Sequence, residues 1–461
     1  MTVRKQSKAV LAMAEYWPII AALLGGTSAM RKEASLLPKW PNEDQASYNA
    51  RLAVATLFPA FKRTIEVLSG KPFSKPLTIG DDVPARIKAW TEDIDLQGRN
   101  LHSFAASVCE EALGYGLCGI LVDYPRTDGM RTAADEAAAG VRPYFVHVRP
   151  QNILGWRSRR INGAEVLTQL RLLECATEED GEFGEAEIEQ VRVLLPGAWQ
   201  VWRKLKGSNV KDEWALYDEG VTTLQKIPFV PVYGSRTGFM RATPPLLELG
   251  HMNVKHWQKQ SDFDTLMHVA SVPILAVTGI DDEAWSLTVG ASAAVKLPMG
   301  SEMKYVEHNG AAIEAGRKSL LDLEDAMRQA GAELLVIKPG NITESQTLAD
   351  NEQGMCALQR IAGDLEDAID AALQLMAEWV GESQGGHVTI FKDFGAASLA
   401  EASAELLHKM SQSGHLSKQS LFEEIQRRGI VRPELKWMDE QSRIDAEGPA
   451  LGMAGLNNGG E

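Results

Sequence analysis

Between Tyr48 and Gly70 the apolar residues Leu52, Ala55, Leu57, Phe61, Ile65 and Leu68 recur at helical spacing. Gly70, Lys71 and Pro72 stop the run, so the pattern predicts one helix with a defined end. A second helical pattern covers Leu101 to Leu113, and Gly119 to Tyr124 (GILVDY) has the apolar, β-branched character of a strand. A polar and Ala-rich connector, Pro125 to Gly140, follows. From 142 to 235 short alternating runs are separated by Pro, Gly and acidic clusters, which predicts a β-rich meander. Its runs are Tyr144 to Val148, Val166 to Leu173, Gln190 to Leu195 and Trp199 to Lys204, with an extended segment at Ile227 to Tyr233.

Pro244-Pro245 opens a helical pattern reaching about His268, with Leu246, Leu249, Met252, Trp257, Phe263 and Leu266 as expected buried positions. A compact β excursion spans Val272 to Val306, punctuated by Gly279, Gly290, Pro298 and Gly300. A further helix is predicted from about Ala311 to Leu334, ended by Val336 to Asn341, where Lys338-Pro339-Gly340 forbids helix continuation. Thr343, with Gln346 three residues on, predicts the cap of a very long helix reaching Val380. Leu358, Ile361, Leu365, Ile369, Leu373, Met376 and Val380 form its apolar stripe. A strand, His387 to Phe391, and two helices, Leu399 to Gln412 and Ser417 to Arg428, complete the pattern before a Gly- and Asn-rich tail from Gly448, expected to be disordered. Two long helices bracketing a small β insertion predict an antiparallel hairpin with the insertion at its far end. The fold class expected is α+β, in an elongated subunit.

With 461 residues, 44% of them hydrophobic, the chain can bury two or three cores of ordinary size. Its net charge of −15 excludes a protein that grips nucleic acid with its overall field. Cys109, Cys118, Cys175 and Cys356 have no CxxC spacing, so neither a zinc ribbon nor a dense disulfide framework is expected, and a reducing compartment fits. The most apolar N-terminal run, Ile19 to Leu24, is far shorter than the ~20 residues of a membrane span. Preceded by Glu15, Tyr16, Trp17 and Pro18, it also lacks the order of a signal peptide.

Gly114, Gly116 and Gly119 (GYGLCG) match the glycine spacing of a dinucleotide site, which would make the chain a nucleotide- or phosphate-binding enzyme. The context is reversed. Such a loop needs a strand before and a helix after, so that a helix N-terminus faces the phosphate, and here the helix comes first. A helix-to-strand turn is the expected role. His251 and His256 are five apart with no HExxH frame and fall on different helix faces. Asp281-Asp282-Glu283 lacks the alternating spacing of a Ca²⁺ loop, and no GxSxG elbow is present. Neither a catalytic residue, a metal nor a cofactor is predicted. The C-terminal helical pair could suggest a DNA-reading regulator, but Glu423 and Glu424 occupy the middle of its second helix, where donors would be needed. From Thr343 to Glu382 there are nine acids against one base, Arg360. A solvated acidic face accounts for this, and so does a surface that repels phosphate.

Six strings in this order resemble the portal protein of tailed bacteriophages, in a subgroup long filed as a domain of unknown function. They are YNARLAVATLFPAFKRTIEVLSGKPF (48–73), EALGYGLCGILVDYP (111–125), RPYFVHVRPQNILGWR (142–157), PPLLELGHMNVKHWQKQSDFDTLMHVASVPIL (244–275), YVEHNGAAIEAGRKSLLDLEDAMRQAGAELL (305–335) and SGHLSKQSLFEEIQRRGI (413–430). The resemblance implies a non-enzymatic ring, typically of twelve copies, at one capsid vertex of the virion, assembled in the host bacterial cytoplasm and free of membrane. It implies an α/β wing (1–243), a stem helix (244–268), a clip (269–308), a second stem helix (309–335), a tunnel loop (336–342), a long wing helix with a returning strand (343–395) and a helical crown with a flexible tail (396–461). Double-stranded DNA would pass the tunnel loop, formed by Val336, Ile337, Lys338, Pro339, Gly340, Asn341 and Ile342. The terminase large subunit and then a head-tail adaptor would dock on the clip, at Asp281, Asp282, Glu283, Trp285 and Lys296. The major capsid or scaffolding protein is a further implied partner.

Overall fold

In the computed structural model the described residues are 3–125, 135, 139–204, 214–270, 274–278, 300–306, 311–335, 355–393, 411–414, 417–427, 431 and 435–447. They fall into two units, Met1–Phe391 and Lys392–Glu461.

The first unit opens with three short helices, α1 (Lys8–Ala14), α2 (Trp17–Leu24) and α3 (Gly26–Lys32), followed by α4 (Gln45–Val54) and α5 (Ala60–Gly70). The apolar run Ile19 to Leu24 is therefore core, with Ile20 and Leu23 fully buried. Among the described residues no helix is long and apolar enough to cross a membrane. The helix predicted from Tyr48 to Gly70 is two helices. Pro59 has no N–H to donate and disfavours helical geometry at Phe58, and the chain is extended at Ala55, where ψ is 135°.

Strand β1 (Thr78–Ile79), α6 (Ala85–Trp90) and α7 (Leu101–Tyr115) lead into β2 (Leu117–Asp123), the centre of a three-stranded antiparallel sheet with β3 (Tyr144–Val148) and, later in the chain, β9 (Phe229–Tyr233). The intervening meander is a five-stranded antiparallel sheet in sequence order: β4 (Ile153–Ile161), β5 (Ala164–Asp180), β6 (Gly184–Leu195), β7 (Ala198–Lys204) and β8 (Trp214–Val221). The β4–β5 turn is Asn162-Gly163, both at positive φ, the backbone that a two-residue hairpin turn requires.

β2 reads as a continuous apolar run because both its faces are covered. Leu117 and Leu121 share a core with Ile153, Leu167, Leu170 and Leu194 of the five-stranded sheet. On the other face Cys118 Sγ lies 3.5 Å from the Val108 carbonyl of α7. After the small hairpin β10 (Ser235–Gly238) and β11 (Arg241–Thr243) come α8 (Leu247–Ala270), the paired strands β12 (Ile274–Thr278) and β13 (Glu302–Val306), α9 (Ala311–Ala332), a 3-10 turn (Glu333–Leu335), α10 (Ala357–Val380) and β14 (Val388–Thr389), which pairs antiparallel with β1. The architecture is α+β, as expected.

The long helix starts later than predicted. Residues 343–354, including the expected cap Thr343, lie outside the described residues, but Cys356 is extended and α10 begins only at Ala357. Cys356 N donates to Gln359 Oε1 at 2.8 Å, so Gln359 does for Cys356 what Gln346 was expected to do for Thr343. The apolar stripe is as predicted: Leu358, Ile361, Leu365, Ile369, Leu373 and Met376 are buried.

In the second unit α11 (Lys418–Arg427) and α12 (Trp437–Glu447) pack through Phe422 and Trp437, whose ring centroids are 5.5 Å apart. α11 matches its prediction. Most of the helix predicted at 399–412, and the tail from Gly448, lie outside the described residues, and α12 was not anticipated.

Candidate functional site

The feature that organises the first unit is the hairpin made by α8 and α9. Successive partners run up α8 and down α9: His256 Nε2 is 3.5 Å from Glu324 Oε1, Lys259 Nζ donates to Ser319 Oγ at 2.7 Å, and Phe263 lies over Gly316. The helices are therefore antiparallel. A Cβ on Gly316 would come within 2.9 Å of the Phe263 ring, so the missing side chain is what lets the helices close. Beyond them the ladder runs from Ile274↔Val306 to Thr278↔Glu302, continuing the same antiparallel pairing away from the helices.

The root of α8 is gripped by the N-terminal helices. Asn253, fully buried, accepts from Phe61 N at 2.9 Å and donates to the Phe58 carbonyl at 2.8 Å. It thus closes the two backbone groups opened by the break at Pro59. One turn either side, Leu249 and Trp257 are buried, and Gly250 packs on Leu23 and Phe61. Gln258 donates to the Leu36 carbonyl at 3.0 Å. Further out, Arg51 holds Glu43 through two hydrogen bonds of 2.8 Å, both side chains being only 4% exposed. The Arg51 hydrogen bonds hold the Glu43 carboxyl below its usual pKa. Trp40 covers the guanidinium at 4.2 Å and donates to Asp262 of α8 at 3.1 Å. Sequence reading missed this clamp. Its signal was Asn253 in the i, i+4, i+8 row with Leu249 and Trp257, where an amide needs partners to be buried.

The predicted docking residues Asp281, Asp282, Glu283, Trp285 and Lys296 lie outside the described residues, in the connection between the paired ends Thr278 and Glu302. The predicted loop Val336, Ile337, Lys338, Pro339, Gly340, Asn341 and Ile342 also lies outside them. It follows the turn Glu333–Leu335, which packs against α10.

The acids of α10 are not one free face. Glu366 accepts from Ile390 N at 2.7 Å, Asp370 from Val388 N at 2.8 Å, and Glu378 pairs with Lys226 at 2.7 Å. Gln374 accepts from Gly385 N at 2.9 Å. Four residues spaced by four thus hold the returning segment and Lys226, which corrects the reading of this charge as wholly solvated or phosphate-repelling. Burial raises the pKa of Asp370 while the Val388 amide opposes the rise.

The glycine turn is filled by protein. Gly116 caps α7 at φ +86°, and a Cβ there would meet the Thr243 carbonyl carbon at 2.5 Å; one on Gly119 would enter the Phe229 ring. Helix precedes strand, so the turn lies at the C-terminus of α7, and Thr243 and Pro244 fill the space against it; the phosphate-cradle reading is set aside. A cleft of ≈ 820 Å³ opens between β2, the meander and the end of α10, lined by Tyr144, Trp199, Tyr217 and Trp379 among others. Its half-buried Arg192 is paired, reaching Asp123 at 2.6 Å and Glu174, beside the cleft, at 2.8 Å. Burial and the Asp123 charge push the Tyr144 hydroxyl up to about 12, so it stays protonated.

Residues 245–380, from the start of α8 to the end of α10, match the family model described as Domain of unknown function (DUF4055). The match spans the hairpin, its strand ladder and the long helix. No curated protein matches this chain. Among solved structures it is similar to a chain of the neck of an empty GTA particle computed with C6 symmetry (13% identity, TM-score 0.44, covering 78% of this chain and 88% of that one). It is also similar to a chain of the virion of a native gene transfer agent particle (13%, TM-score 0.42, 89% and 98%). A third is from the neck of a native GTA particle computed with C12 symmetry (11%, TM-score 0.42, 80% and 89%).

Proposed function

We propose that this chain is a portal protein: a ring at one capsid vertex that conducts double-stranded DNA during packaging and ejection and carries docking sites for its partners. The observation that carries the reading is the antiparallel pair α8 and α9, rooted in the N-terminal helices at one end and prolonged by the β12–β13 ladder at the other. That is the stem-and-clip order the sequence resemblance implies. In this reading 269–308 form the clip, which takes the terminase large subunit and later a head-tail adaptor at Asp281, Asp282, Glu283, Trp285 and Lys296, 336–342 form the tunnel loop, and the major capsid or scaffolding protein is a further partner.

Duplex DNA carries one phosphate charge per roughly 1.7 Å of axis, and a basic lining would hold it through released counterions. The two stem helices carry five Lys and Arg against seven Asp and Glu, so they make no cationic belt. The chain as a whole is at −15. Such a surface lets DNA slide, and Lys338 is the one base of the proposed constriction. The test has two parts. Negative-stain views of the purified chain should contain closed rings with a central opening, whereas a monomer in every condition refutes the reading. In a packaging reaction, Lys338→Ala and deletion of 336–342 should leave rings intact and reduce DNA filling or retention; unchanged filling with both removes the loop from the mechanism.

A further inference from the structure

Opposite charges gather beside the two ends of the long strand β5: three arginines on its partner β4 next to its start, where Glu165 of β5 faces Arg160, and a run of acids at its far end. At one end its partner β4 is an edge strand of the five-stranded sheet, with no strand on its outer side among the described residues. The N-terminal segment covers only the start of β4, where Ser7 N donates to the Leu154 carbonyl. Further along, Arg157, Arg159 and Arg160 are exposed, beside the exposed Ile161, and no hydrogen bond or ion pair to another described residue engages these three guanidinium groups. The Arg157 charge is strong enough to help, after burial, in depressing the pKa of Arg171.

At the other end the β5–β6 hairpin runs past its neighbours. β4 pairs β5 only as far as Leu172 and β7 pairs β6 only from Gln190, so 173–189 form a two-stranded hairpin with no further strand on either edge among the described residues. Eight acids and no base occur between Glu174 and Glu189. Glu174, Glu178 and Glu189 pair with Arg192, Arg203 and Arg4. Glu179, Asp180, Glu182, Glu185 and Glu187 are exposed without such partners among the described residues, and Phe183 at the turn is 93% exposed. At about 3.3 Å per residue, the 17 residues of β5 hold the two patches on the order of 50 Å apart. They cannot meet within one chain.

Opposite patches at opposite ends of one stiff element suit a head-to-tail contact, which closes into a ring when the rotation allows. Resting on the portal reading, we propose that the β5–β6 hairpin of one protomer docks on the open β4 edge of the next copy of this chain. The alternation agrees: Glu185 and Glu187 share one face of β6, and Arg157 and Arg159 lie two apart on β4, so opposite charges can oppose each other across the new strand pair. Phe183 and Ile161 supply apolar area beside them. An open edge with this charge also keeps identical edges from pairing with each other.

Charge reversal tests the contact on the full chain. One variant carries Arg157→Glu, Arg159→Glu and Arg160→Glu; the other carries Glu182→Lys, Glu185→Lys and Glu187→Lys. Each alone sets like charges across the contact and should cut the ring fraction, read by light scattering and negative stain, about tenfold. Mixed in equal amounts they should restore rings containing both, because each variant's altered patch now complements the other's. That rescue also shows that both variants fold. Rings that form normally from either variant alone, or a mixture that stays unassembled, overturn the contact and leave the portal reading standing. A wild-type chain that forms no ring overturns the portal reading itself.

Discussion

Three residues show how much depends on single groups. Asn253 bonds both Phe58 O and Phe61 N; Phe58 O also accepts from Ala60 N, so Asn253→Ala should cost about 2 kcal/mol in denaturant unfolding chiefly by leaving the buried Phe61 N–H unpaired. A loss below about 0.5 kcal/mol would show that water replaces it. Gly116→Ala faces both a positive φ and main chain that cannot move aside, so about 2 kcal/mol or more should be lost. An unchanged melting point would contradict the turn geometry. His147, on β3, has an Nε2 without a hydrogen-bond partner among the described residues. Burial, then Arg149 and Arg99, depress its pKa from 6.5 to about 4. The folded chain prefers the neutral ring, so this contribution to stability is whole above pH 6.5 and drains away as pH falls toward 4, at most roughly 3 kcal/mol. His147→Gln should flatten that part of the stability–pH curve, and equal acid slopes in both proteins would rule the assignment out.

At the scale of elements, the long helix and the short strand β14 depend on each other. Glu366 and Asp370 supply acceptors to the amides of Ile390 and Val388 that a neighbouring strand would otherwise supply. Glu366→Ala with Asp370→Ala should speed amide hydrogen exchange at 388 and 390, while Glu366→Gln with Asp370→Asn should largely preserve protection, since an amide oxygen still accepts. Equal protection in all three would mean that the β1 pairing alone holds the segment. The helical and alternating periods of α7, α9, α10 and the meander were legible in the sequence because each element buries one face or stripe. In the α8 pattern Leu246, Leu249 and Trp257 are buried as expected, whereas Met252, Phe263 and Leu266 are only half-buried. The break at Pro59 was legible too, since Pro59 stands inside the run Tyr48 to Gly70, yet the apolar spacing on either side masked it. The start of α10 was not. Thr343-Gln346 and Cys356-Gln359 both offer a glutamine three residues on, and only the packing of Leu358 onward selects the second.

For the whole molecule, every described buried hydrophobic residue lies before Lys392. Truncation after Phe391 should therefore leave the first unit's melting transition within a few degrees of the full chain's, and loss of cooperative unfolding would show that the second unit completes its core. The antiparallel hairpin was predicted from element order alone, because two long helices joined by a short β excursion have few other ways to bury their stripes. The residues expected to touch DNA and partners, 336–342 and 281–296, were chosen by resemblance, and their part belongs to the proposal.

The chain's own pattern determined the order of elements, the buried stripe of α10, the turn role of Gly114 to Gly119 and the net negative charge, because periodicity, proline and charge act locally or by simple sum. Tertiary structure alone decided that Asn253 closes the break at Pro59, that Glu366 and Asp370 serve a strand rather than solvent, and that β5 separates three arginines from five acids that have no ion-pair partner among the described residues. These depend on which residues distant in sequence become neighbours, and on which charges find partners first.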